Sequence, residues 1–164
     1  IAMTQKSWRE GRVKNSYYRF SPAAGVNASI RDMEVWLRAM LGEYPHLVSN
    51  DLITQVTTPR VKTKRELNRR QWRQHLRDAH YGLGWRIYDF NGHKLNYHGG
   101  WVQGYRADVA FTPDYQAGYA MLMNAESNLI NGFTADFWQR FFTEQEQQQQ
   151  IAKANQRALL NTAE

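Results

Sequence analysis

The 164 residues include six Trp, nine Tyr and seven Phe but no Cys, a composition that fits one domain with an aromatic-rich core and excludes a disulfide framework and thiolate chemistry. There is no run of about 18 apolar residues and no charged-then-apolar leader, so neither a transmembrane helix nor a signal peptide is expected. The net charge of +6 sits in one segment: between Arg60 and Asp78, eight Lys or Arg face two acids, Glu66 and Asp78, and the rest of the chain sums to zero.

The chain opens on Ile1 rather than Met, as expected of a processed chain or a piece of a longer one. Residues 1–24 are polar and irregular; Tyr17, Tyr18 and Phe20 are expected to pack on the domain, and Ser21-Pro22 to break any helix. A helix follows. Ser29 with Asp32 three residues on resembles a capping box, with Asn27 a rival N-cap. Ile30, Met33, Leu37 and Met40 or Leu41 share one helical face, and Gly42 supplies the stop. A second helix is predicted from Ser49-Asn50-Asp51 to just before Pro59, burying Leu52 and Val56. From Lys62 to His80 the sequence has good helix formers and few apolar residues. It reads as a solvated helical insertion over about 60–80, with Leu67, Trp72 and Leu76 as a thin stripe and Trp72 as an anchor onto the domain. A contact surface for phosphates or anionic lipid headgroups over 60–77 is the sharper reading. The lack of interleaved aromatics argues against nucleic acid.

Residues 81–124 read as four antiparallel strands. Leu83, Trp85 and Ile87 alternate with Gly84, Arg86 and Tyr88. Asn91-Gly92 signals a type I′ hairpin, because both central residues need positive φ. Leu95 and Tyr97 lie on the return strand. Tyr105, Ala107, Val109 and Phe111 alternate on the next, which Thr112-Pro113-Asp114 ends. After a Gln116-Ala117-Gly118 turn, Tyr119 to Met123 is apolar throughout, as in a strand covered on both faces. Ser127-Asn128 then caps a helix predicted to bury Leu129, Phe133, Phe137 and Phe141. Residues 144–164 begin EQEQQQQ; they extend that helix or are disordered. The organisation is a domain over 1–143 and a Gln-rich tail over 144–164.

Candidate chemistry narrows quickly. His46, His75, His80, His93 and His98 include no i, i+4 pair and no HExxH, so no metal and no cofactor is expected; His75 and His80 read as solvated and His93 as exposed beside its turn. Gly82-Leu83-Gly84 does not continue into a phosphate loop. Ser7, Ser16, Ser21, Ser29, Ser49 and Ser127 include no G-x-S-x-G elbow and no Ser-x-x-Lys, so the chain contains no recognisable nucleophile. His98-Gly99-Gly100 remains. Two glycines after a strand histidine let a ligand approach the backbone, whose N–H groups would stabilise a developing oxyanion. Taken alone, the triplet reads better as a β-bulge or turn with an incidental histidine.

The ordered set AAGVNASIRDMEVWL, YGLGWRIYDF and YHGGWVQGYRADVAFTPDYQAGYAMLMN resembles the C-terminal half of the serine beta-lactamase-like hydrolases, which include class C beta-lactamases, D-alanyl-D-alanine carboxypeptidases and related esterases. The resemblance runs from about Tyr17 to Phe142, with the basic arm as an insertion. It implies an α+β fold, an antiparallel sheet flanked by helices, as in the C-terminal part of the beta-lactamase/transpeptidase-like fold. It also implies an acyl-enzyme mechanism. Three motifs meet in that family's site: Ser-x-x-Lys, a Tyr-x-Asn or Ser-x-Asn loop, and a Lys-Thr-Gly or His-x-Gly strand. His98-Gly99-Gly100 matches the third. By the resemblance His98 stands for the motif lysine, Gly99 and Gly100 form the substrate wall, and the Trp101 N–H is one oxyanion donor.

Ser-x-x-Lys and Tyr-x-Asn are absent; the family places both upstream. The expected partners are therefore a small-molecule or peptide substrate and the missing N-terminal half of the same protein, in a bacterial periplasmic or secreted setting. The rival reading is a non-catalytic binding module of the same fold, with the basic arm as its partner surface.

Overall fold

Asn91 and Gly92 set the register of the central sheet. In a computed structural model, which describes residues 2–4, 7–11 and 15–161, they hold φ of 53° and 97°, the left-handed pair a two-residue hairpin needs. The Asp89 carboxylate accepts the Gly92 N–H at 2.6 Å, and Phe90 pairs with His93 across the turn.

The described elements, in chain order, begin with β1 (Ala2–Thr4), β2 (Ser7–Gly11), a 3-10 turn (Asn15–Phe20), α1 (Ser21–Ala24), α2 (Ile30–Met40) and α3 (Asn50–Val56). They continue with β3 (Val61–Lys62), a 3-10 turn (Lys64–Asn68), β4 (Leu76–Tyr81), β5 (Arg86–Phe90) and β6 (His93–Val102). Last come β7 (Tyr105–Thr112), a 3-10 turn (Pro113–Tyr115), β8 (Ala117–Met123) and α4 (Leu129–Asn161). Among the described residues, strands β1 and β2 pair only with each other, and β3 to β8 form one six-stranded sheet in sequence order, antiparallel throughout. The fold is α+β, with helices against both sheet faces. On one face, Trp138 and Phe142 of α4 close over Trp72, Tyr88, Phe90, Leu95 and Tyr97. On the other, Leu37 and Met40 of α2 and Ile53 of α3 pack on Trp85 and Phe111.

Local signals account for the helix starts. Ser29 and Asp32 form the reciprocal capping box, so Ser29 rather than Asn27 opens α2, and Gly42 leaves it at φ 90°. The Ser49 hydroxyl caps α3, and the Ser127 hydroxyl accepts the Leu129 N–H at 3.3 Å.

Several expectations are corrected. The basic arm is not a helical insertion. It is β3, a 3-10 turn and β4, which pairs with β5 inside the sheet. The sheet thus has six strands, not four, and Trp72 is fully buried, its ring 4.8 Å from that of Tyr97. The alternation at Leu83 does not mark a strand: Gly82 N–H bonds to Trp85 O at 2.8 Å, Gly84 takes φ 84°, and Leu83 is exposed on the resulting turn. Strand β8 is an edge and only half-buried, because α2 and α4 cover its faces incompletely. In α3 it is Ile53 that is buried, while Leu52 faces out. In α4 the buried stripe is Ile130, Thr134, Trp138 and Phe142, and Leu129, Phe133 and Phe137 are exposed. Tyr18 and Phe20 are exposed; the Tyr17 side chain lies outside the described part. His75 stacks on Phe90 at 5.0 Å. His93 stacks on Phe142 at 4.3 Å and bonds Glu146 at 2.9 Å, so neither ring is simply solvated. The Gln-rich run continues α4 as helix to Asn161.

Burial of Trp72 separates a sheet-forming arm from a solvated one. Trp72→Ala should lower unfolding free energy by about 3–5 kcal/mol, the usual loss for a buried Trp, read from urea denaturation. A change within about 0.5 kcal/mol, as on a free surface, would return the arm to solvent.

Candidate active site

Strand β6 outruns its neighbour. Its last pairing with β5 is Tyr97 with Arg86, whereas it stays paired with β7 through Val102 opposite Tyr105. Residues 98–102 are therefore hydrogen-bonded on one side only, and alternate backbone groups on the other side face open space. Into that gap comes the turn before β5. The Gly84 carbonyl meets His98 Nδ1, and Trp85 stands edge-on to the His98 ring at 6.4 Å. A carbonyl only accepts, so Nδ1 carries the proton and, in the neutral ring, Nε2 is left as an acceptor. The His98 side chain is exposed.

Strand alternation places His98 and Gly100 on the face covered by α2 and α3, and Gly99 and Trp101 on the face covered by α4. The two glycines differ physically. A Cβ on Gly100 would meet only Ala107, at 3.7 Å, an ordinary contact. A Cβ on Gly99 would collide with the Tyr97 hydroxyl and come within 3.0 Å of Asp108 Oδ1. The fold needs glycine at 99 and does not need it at 100, so the open space at Gly100 is available to a ligand.

Beneath Gly99 lies a buried polar network. Asp108 accepts from the Tyr97 hydroxyl at 2.8 Å and from Thr134 of α4 at 2.7 Å. Arg69 donates to Asn131 at 2.8 Å, to Tyr88 at 3.1 Å and to Tyr97 at 3.4 Å. Glu66 takes Arg69 at 3.3 Å, Arg86 at 3.4 Å and the Tyr88 hydroxyl. Burial pushes the Asp108 carboxyl up, against the pull of its Thr134 and Tyr97 donors. Burial, then the Asp108 charge, raises Tyr97 to about 12, so its hydroxyl stays a donor. At Glu66 burial acts upward too, but the Tyr88 hydrogen bond and the Arg86 and Arg69 charges outweigh it and hold the carboxyl below its usual range.

Trp101, at the end of β6, has an exposed indole whose N–H donates to Glu126 at 3.3 Å; the Arg106 guanidinium lies over the ring at 4.8 Å. The other Glu126 oxygen accepts the Gly104 N–H at 2.6 Å, fixing the β6–β7 turn. All four predicted site residues thus lie on one strand, with His98 and Gly100 presented together and the Trp101 side chain turned to the opposite face. Sequence reasoning missed Gly84, Glu126, Asp108 and Arg69. The G-L-G-W run pointed to Gly84, but nothing local pointed to the others, whose partners are up to 62 residues away. No group of three or more His, Asp or Glu among the described residues is placed to hold a metal ion.

The sequence matches the family model described as Beta-lactamase over residues 2–138. Among solved structures it is similar to the octameric penicillin-binding protein homologue from Pyrococcus abyssi, at 26% identity and a TM-score of 0.51, over 59% of this chain and 20% of that one. The chain therefore spans about a fifth of the length of that relative. Comparison with curated proteins finds no match.

Two outcomes follow from the geometry. Gly99→Ala should cost about 1–3 kcal/mol of stability, as overpacking does, while Gly100→Ala should be neutral or gain a few tenths, since Ala is favoured over Gly within a strand. Equal effects in urea unfolding would contradict the sorting. The pH dependence carries two opposite slopes. Glu66, with its lowered value, contributes stability above about pH 4 that is lost as pH falls through that value. Asp108, with its raised value, contributes stability at low pH that is lost as pH rises from about 4 through that value. Asp108→Asn removes the second slope, so its unfolding free energy should decline less than the parent's over that rise. Parallel curves would mean that Asp108 does not titrate differently in the two states.

Proposed function

The chain belongs to the Beta-lactamase family, and from that premise we propose that it is the C-terminal portion of a serine hydrolase working through an acyl-enzyme on an ester, amide or lactam carbonyl. The observation that carries this reading is the one-sided stretch of β6, with His98 anchored through Nδ1 and set beside Gly100 on an open face. That is a wall for a reacting carbonyl, lacking the nucleophile.

In this reading a serine upstream of the chain attacks the carbonyl carbon and gives its proton to a base on the same missing half. The carbonyl π electrons move to oxygen, where the Trp101 N–H and the serine's own N–H receive the charge. The leaving group departs with the proton, and water later hydrolyses the acyl ester. His98 occupies the place of the motif lysine and holds the hydrogen-bond network beside the nucleophile. An imidazole grips a substrate carboxylate less firmly than an ammonium, so esters and peptides stand on a par with lactams as substrates. A periplasmic or secreted location belongs to the same reading.

The exposed surface supports a covering half. Leu129, Phe133 and Phe137 stand one turn apart on α4, and β8 offers an edge unpaired among the described residues. Apolar area of that kind is uncommon on a self-sufficient monomer. The second reading, a non-catalytic binding module, draws on the absence of Ser-x-x-Lys and Tyr-x-Asn.

A fluorophosphonate serine probe read by intact mass tests the choice. The 164-residue chain should remain unlabelled and the product of the full coding sequence should label once. Labelling of neither would favour the binding module, and labelling of the short chain would place a nucleophile among its own six serines. In the full product His98→Ala should slow acylation roughly a hundredfold with unfolding unchanged; unaltered acylation would remove His98 from the site.

A further inference from the structure

The charge of the basic arm is not spent inside the fold. Of its eight cations, Arg69 is taken up by Glu66 and the buried hydroxyls, and Lys62 pairs with Asp78 at 3.1 Å. Both acids of the segment are thereby used. Arg60, Lys64, Arg65, Arg70, Arg73 and Arg77 are all exposed, and none forms an ion pair among the described residues. All six belong to the segment that runs from just before β3, through the connection, into β4. Arg60 bonds backbone to backbone with Tyr81 at one end of β4, and Arg77 lies against Gly92 toward the other, roughly 13 Å of strand apart.

Two further features identify the partner. Val61 and Leu83, at the Arg60 end, are large apolar side chains more than half exposed. The arm's one aromatic, Trp72, is fully buried, which leaves no platform for stacked bases. Long cations interspersed with exposed aliphatics are what an interfacial, anionic lipid surface takes up.

We propose that the β3–β4 edge of the sheet docks on an anionic phospholipid bilayer, with the six unpaired cations on the headgroups and Val61 and Leu83 entering the interface. The proposal does not depend on the catalytic reading. It has a consequence for it all the same: Leu83 directly precedes Gly84, which holds His98, so docking through this edge fixes the site close to the membrane plane.

Co-sedimentation of the 164-residue chain with phosphatidylcholine vesicles, with and without phosphatidylglycerol, tests this. Binding should require phosphatidylglycerol and fall steeply with salt. Each basic side chain near an anionic leaflet contributes roughly fivefold to partition. The triple variant Arg70→Gln, Arg73→Gln, Arg77→Gln should therefore bind on the order of a hundredfold more weakly, with an unchanged circular dichroism spectrum. Lys64→Gln with Arg65→Gln is the second probe, expected to weaken binding roughly 25-fold. Four results would overturn the proposal. One is no binding to phosphatidylglycerol vesicles at low salt. Another is equal binding to neutral vesicles, which assigns the contact to the apolar α4 face. A third is capture by soluble polyphosphate with none by vesicles, which leaves a free-polyanion surface. The last is parent-like binding of both variants.

Discussion

One half-buried interaction holds this architecture together: the Arg69 guanidinium, fixed at once to Glu66, Tyr88, Tyr97 and Asn131. Four donor contacts draw the basic arm, strands β5 and β6 and helix α4 to a single point. Burial acts to lower the Arg69 pKa, but the Tyr97 and Tyr88 hydroxyls around it reverse the effect and the charge is retained. An ion pair drawn partly out of water in this way adds little net stability relative to an apolar core. What it adds here is uniqueness. With apolar groups in its place, arm and helix would be free to slide along the sheet; with the guanidinium, five N–H vectors must each find an acceptor.

The same network reaches the candidate site from below. Tyr97 connects Arg69 to Asp108, and Asp108 connects to Thr134 on α4. Gly99 rests directly on this pair with no room for a side chain. The backbone at 98–100 is thus supported from one face by α4 through the network and gripped from the other by the Gly84 carbonyl on His98. In the proposed reaction such rigidity would help, because preorganised N–H donors need not reorient as charge develops.

Much of this was legible in the sequence, and the failures have physical causes. The Asn91-Gly92 turn, the Ser29 box and the order of strands β5 to β8 are encoded in a few consecutive residues, so local reading suffices. The α4 face is different. Leu129, Phe133, Phe137, Phe141 and Ile130, Thr134, Trp138, Phe142 are two stripes of the same spacing, rotated by one residue. The true core stripe looked weaker because it contains Thr134, which is polar in order to reach Asp108. The arm was misread for a related reason. Its cations suggested solvent, and the anchoring role expected of Trp72 was right, but Arg69 is half-buried against Tyr88, Tyr97 and Asn131 from distant strands and from α4. At the site, His98, Gly99 and Gly100 were legible as a triplet. Which of the two glycines the fold itself requires became readable only once Asp108 and Tyr97 were in place.

Helix α4 has a length, 33 residues or about 50 Å, that the sheet cannot cover. The Glu146 contact with His93 ties the middle of the helix to the domain, and residues 146–161 are all exposed. An isolated Gln-rich peptide of that size would seldom be helical in water, because the first turn must be formed at an entropic loss. Here that turn already exists, built by Trp138 and Phe142 in the core, and each later residue needs only to propagate it. The exposed stretch is therefore seeded by the core beneath it, and loosening the His93–Glu146 clamp should lower amide protection at its root.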